Sequence, residues 1–131
     1  MPSKLRLQRI GTRIQQELSE MLIKEIQDPR LNGIFITDVK IDRELAFASI
    51  YVSAVEGQER SEEILQGLIH ARSFIRRELA ARIELRAFPQ IRFHWDPTPE
   101  RADHIEKLLA QIREEPPIED APSPEETSTD D

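Results

Sequence analysis

Apolar residues return every three or four positions in the first stretch of the chain, at Ile10, Ile14, Leu18, Met21 and Leu22. That period predicts an amphipathic helix over about residues 4–27, ending before Asp28-Pro29, where proline forbids continuation. The period then falls to two. Phe35, Thr37, Val39 and Ile41 alternate with Ile36, Asp38 and Lys40, and a second alternating run extends from Leu45 to Ala54. With Asp42-Arg43-Glu44 as the turn between them, the two runs make an antiparallel hairpin. Gly57 marks the exit loop, and Ile64, Leu65, Leu68 and Ile69 begin another helix. The stripe pauses at Ala71-Arg72-Ser73 and resumes at Ile75, Leu79 and Ile83, which predicts two helices separated by a break. Beyond Pro89, Ile91, Phe93 and Trp95 alternate with Arg92 and His94 as a third strand. Thr98 reads as an N-cap with Pro99 in the first helical position, and Ile105, Leu108, Leu109 and Ile112 give the last helix an apolar face. The order α-β-β-α-α-β-α, with helices on one face of three strands, is an α+β fold.

Charge changes the picture once it is divided along the chain. The formal net charge is −7, yet every Lys and Arg precedes Glu114, and the only charged residues among the 18 from Glu114 to the end are eight acids. The chain therefore divides into a near-neutral domain over residues 1–113 and an acidic, Pro-, Ser- and Thr-rich tail over 114–131. The tail has little to bury and is expected to be disordered. Within the domain the bases cluster. Lys4, Arg6, Arg9 and Arg13 precede the first acid, Glu17, and form a ridge flanking the apolar stripe of the first helix. A second concentration holds Arg72, Arg76, Arg77, Arg82, Arg86 and Arg92 against Glu78 and Glu84. Cationic elements inside an acidic protein point to a polyanionic partner. Ser73 joins Arg72, Arg76 and Arg77 as a candidate RNA contact at the predicted break. Lys40 and Arg43 read as solvent-facing, and Trp95 as a core residue.

Several chemistries are unsupported. With no cysteine there is no disulfide framework, cysteine-ligated zinc or thiol catalysis. His70, His94 and His104 form no ligand pair, and the four glycines never cluster into a phosphate loop. No catalysis, metal or cofactor is expected. No apolar run approaches the roughly 20 residues that span a bilayer, so a cytoplasmic location is expected.

Several segments together resemble the ribosome-binding factor A family. Asp28-Pro29-Arg30-Leu31 is similar to its D-P-R-L-type turn. Ile41-Asp42-Arg43-Glu44-Leu45 and Ala48-Ser49-Ile50-Tyr51-Val52-Ser53 resemble its hairpin. Leu85-Arg86, Pro89-Gln90-Ile91-Arg92-Phe93, Asp96, Glu100, Ile105 and Leu108-Leu109 follow its closing pattern, and the likeness covers about residues 4–112. The resemblance implies a type II KH-like RNA-binding domain with a helix kink in place of the G-x-x-G loop; the kink's glycine is Ser73 here. It implies binding to the small ribosomal subunit and its RNA, and assistance with late maturation and 5′-end processing of 16S rRNA, notably in the cold. A monomer is expected, with ribosomal proteins or an assembly GTPase as further candidate partners and no membrane. The alternative is a non-catalytic protein–protein interaction module using the hairpin edge or the first helix.

Overall fold

A computed structural model describes residues 3–114. The expected tail therefore lies outside the described residues, except for Glu114, which closes the last helix. The order is α1 (Lys4–Lys24), β1 (Ile34–Ile41), β2 (Phe47–Ala54), α2 (Ser61–Arg82), β3 (Gln90–Trp95) and α3 (Thr98–Glu114), with short 3-10 turns at Pro29–Leu31 and Gln58–Arg60. The chain divides into two units, residues 1–97 and 98–131.

In the first unit, Ser3 caps α1 by accepting from the Arg6 N–H at 3.1 Å. The Asp28 carboxylate caps the following turn through the Arg30 N–H at 2.9 Å, with Pro29 at its start. Leu31 thereby enters the core. β2 is the central strand, antiparallel to β1 and parallel to β3, and α2 supplies the crossover that a parallel pair requires. Ile14, Leu18 and Met21 of α1 and Ile64, Leu68, Ile75 and Leu79 of α2 pack with Ile50, Val52 and Ile91 of the sheet in one core. Both helices thus lie on one face. Alternation puts Lys40, Phe47, Ser49, Tyr51, Arg92 and His94 on the other.

The structure departs from the sequence reading in two places. β1 contains a bulge at Thr37: Ile36 pairs with Val52 and Asp38 with Tyr51, leaving Thr37 as the extra residue. The bulge shifts the phase, so Ile34 and Ile36 join Val39 and Ile41 against the core, while Phe35 is exposed. Thr37 donates its hydroxyl to Asp96 at 2.6 Å, and Gln15 donates to the Ile36 carbonyl at 3.1 Å, so the bulge is held from both sides.

The second departure concerns Ala71-Arg72-Ser73, where α2 is one continuous 22-residue helix. Ala, Arg and Ser all accept helical angles, and neither glycine nor proline interrupts the ladder. The loss of apolar pattern there reflects exposure of Arg72 and Ser73.

In the second unit, α3 carries Ile105, Leu108, Leu109 and Ile112, all exposed.

Candidate nucleic-acid interface

The basic ridge of α1 forms as the sequence predicts. Lys4, Arg6, Arg9 and Arg13 are exposed, and the three arginines line a cavity of about 660 Å³ against Arg82, Ile83 and Leu85 at the end of α2. The first turn of α1 contains no acid, so its positive helix end adds to the side-chain charge. Arg13 is partly engaged, donating to the Arg82 carbonyl at 3.1 Å and pairing with Glu17 at 3.4 Å. Arg82 is fully engaged: Glu17, Glu25 and Glu78 surround it, and its hydrogen bond to Glu25 raises its pKa further above the ordinary arginine value. It ties α2 to α1 and adds no free positive charge to the ridge.

The residues of the second cluster separate by role. Arg72, Ser73 and Arg77 are exposed on α2. Arg76 turns the other way, donating to the carbonyls of Phe88 at 2.6 Å and Pro89 at 3.1 Å. Its guanidinium anchors the loop between α2 and β3. Because α2 is unbroken, no helix begins at Ser73; the anion-attracting N–H groups expected beside a break are spent inside the helix.

Sequence reasoning left Arg92 unassigned and missed its surroundings. The Arg92 guanidinium lies 3.6 Å above the centre of the Phe47 ring, on the sheet face away from α1 and α2. Next to it, Tyr51 and His94 stack at 5.0 Å, and the Lys40 ammonium sits 5.4 Å from the Tyr51 ring centre. Alternation of Arg92 and His94 along β3 gave the face but not the partners, which come from the parallel register Ser49 to Arg92 and Tyr51 to His94. Where α2 meets the start of β3, Arg72, Ser73, Arg76, Phe47, Gln90 and Arg92 line a cavity of about 400 Å³ with no carboxylate in its wall. Trp95 packs against the core, as its alternation predicts.

Arg6, Arg9, Arg72, Arg77 and Arg92 form no ion pair among the described residues, whereas Arg13, Arg30, Arg60 and Arg82 do. No group of His, Cys, Asp and Glu suited to a metal ion occurs among the described residues. No described helix is long and apolar enough to cross a membrane.

These features define an α+β protein in which α1 and α2 cover one face of the sheet and several exposed arginines form no ion pair among the described residues. The sequence model of ribosome-binding factor A matches residues 6–109. Ribosome-binding factor A of Aromatoleum aromaticum is 36% identical over 113 residues, covering 86% of this chain and 89% of that protein. The solution NMR structure of a Thermotoga maritima protein assigned as a ribosome binding factor A aligns with a TM-score of 0.62 at 28% identity, covering 72% of this chain and 90% of that one. A Thermus thermophilus ribosome binding factor A homology model, fitted into a cryo-EM map of a 30S complex, shares the fold with a TM-score of 0.55 at 24% identity. It covers 66% of this chain and 91% of that one. The chain belongs to the ribosome-binding factor A family.

Proposed function

We propose that this protein is a non-catalytic assembly factor in the cytoplasm that binds RNA of the small ribosomal subunit. There it assists late maturation, including 5′-end processing of 16S rRNA, notably in the cold, and departs before the large subunit joins. The observation that carries the reading is the set of arginines without carboxylate partners on α1, α2 and β3. Paired arginines in this chain hold the fold together. Unpaired ones raise self-repulsion and are best accounted for by a polyanion that neutralises them. The Thermus relative fitted into a 30S complex supplies the partner class. To favour maturation the factor binds one RNA arrangement more tightly than its competitors, since equal affinity for both would shift nothing.

The experiment is co-sedimentation of the full chain with ribosomal particles at two salt concentrations. Migration with free small subunits, absence from joined ribosomes and release at higher salt are expected. No association with any particle at low salt would remove the reading.

One observation favours a protein partner instead. Ile23 (83% exposed) and Phe35 (39% exposed) border a groove of about 370 Å³ between α1 and β1. Binding through that groove would persist at high salt, which separates the two.

A further inference from the structure

We propose that the corner formed by Arg92, Phe47, Gln90, Arg72 and Ser73 is a binding pocket for one unpaired nucleotide of single-stranded RNA. The inference rests on the RNA-binding reading above and gives it a second, chemically distinct subsite. At 3.6 Å from the ring centre, the Arg92 guanidinium is in van der Waals contact with Phe47, which requires the planar group to lie flat on the ring. Arg92 is exposed, so the guanidinium offers its opposite plane outward. A flat cation backed by an aromatic ring is a stacking platform for a nucleobase. It is also pre-ordered: Phe47 holds Arg92 before any ligand arrives, which lowers the ordering cost of binding.

The remaining lining matches the rest of a nucleotide. Gln90 offers both a donor and an acceptor to a base edge, and Ser73 a hydroxyl. Arg72 is exposed, has no ion pair among the described residues, and supplies a phosphate contact. Three arginines and no carboxylate line a cavity of about 400 Å³, within the range of small-ligand sites. Arg76 adds field without mobility, since the loop carbonyls hold it. An acidic protein segment would satisfy the charge but would leave the stacking plane unused, so the single-stranded nucleotide is the better match. The α1 ridge has no comparable platform. It is expected to bind phosphates of paired and unpaired RNA alike.

The test uses the full chain with three probes: a short labelled single-stranded oligoadenylate, an RNA duplex of the same length, and polyglutamate. Arg92→Lys keeps the charge and removes the flat plane. It is expected to weaken oligoadenylate binding about tenfold, at the lower end for losing one stacked base. Duplex affinity and the salt slope should stay at wild-type values. Phe47→Leu should move oligoadenylate binding in the same direction, and Arg72→Gln should lower the salt slope by about one phosphate. Melting curves confirm that each variant is folded. Wild-type oligoadenylate affinity in Arg92→Lys would overturn the proposal, as would equal losses on single strand and duplex. Tighter binding of polyglutamate than of oligoadenylate would assign the corner to an acidic protein. If the wild type binds oligoadenylate through Arg92 yet never sediments with small subunits, the assembly reading fails and the pocket stands.

Discussion

Arg76 and Arg77 are adjacent in the chain and face opposite tasks. Sequence alone groups them as two cations beside a helix break, and charge reversal at both is the natural test of an RNA surface. The structure separates them: Arg76 is half-buried with two bonds to the Phe88 and Pro89 carbonyls, and Arg77 is exposed beside Phe74. Arg76→Ala should therefore destabilise the domain by about 1–2 kcal/mol, read as a lower denaturation midpoint. Arg77→Glu and Arg72→Glu should melt within about 0.5 kcal/mol of wild type and weaken RNA binding. Equal stability losses at positions 76 and 77 would contradict the division. What the sequence showed at this scale was charge and helical side. Hidden from it were the partners, because Phe88 and Pro89 approach Arg76 only after the chain has crossed over to β3. Arg82 illustrates the same limit: its charge was legible, but not the carboxylates of Glu17 on α1 and Glu25 at its end that receive it.

The elements themselves were largely visible, because each buries one face and the period of apolar residues reports which. The misses occurred where local geometry breaks a period. Thr37 inserts one residue into β1, and a single extra residue reverses every later side chain, so an unbroken alternation from Phe35 to Ile41 mis-assigns its first half. The predicted break in α2 is the converse error, a change in exposure mistaken for a change in backbone. Close approach between elements is a further feature that periodicity does not carry. Gly11 lies where α1 crosses β1, and a Cβ there would stand 2.9 Å from the Val39 carbonyl oxygen. Backbone cannot rotate aside as a side chain can, so Gly11→Ala should cost about 1–3 kcal/mol despite the better helix propensity of alanine. An unchanged or raised unfolding free energy would show that α1 does not sit this close to β1.

The hairpin turn has its own signature. The Asp42 carboxylate accepts from the Phe47 and Ala46 N–H groups at 2.8 Å each, and these bonds, that to Phe47 foremost, hold its pKa below the usual carboxylate value. Asp28, beside the Arg30 guanidinium, is lowered likewise. A carboxylate depressed in the folded state stabilises above its unfolded pKa and loses that contribution as pH falls through the folded one. Melting temperature should therefore drop as pH is lowered below about 4, the unfolded Asp value. Asp42→Ala should make that drop shallower while lowering stability at neutral pH. A melting temperature that rises on acidification over this window would reverse the sign of the argument.

At the scale of the whole molecule, the distribution of charge matters more than its total. A chain of net charge −7 is a poor ligand for RNA until its acids are located: residues 115–131 contribute seven of them and no base. Arg6, Arg9, Arg72, Arg77 and Arg92, by contrast, lie on α1, α2 and β3. Tethered carboxylates would compete with phosphate for those arginines as a local anion, a competition that fades as salt screens both. Deleting residues 115–131 should tighten RNA binding at low ionic strength and leave it nearly unchanged at high. The same deletion should leave the melting temperature in place, because the core of the described residues is built from Ile10 to Ile91 with Phe93 and Trp95 packed against it. Binding measured for both chains across a salt series decides the matter. Two coincident lines would mean that the tail acids do not act on the RNA surface at all. Lines that converge with rising salt would make the tail an electrostatic regulator of access, setting how readily the arginines of α1 and α2 exchange one RNA surface for another.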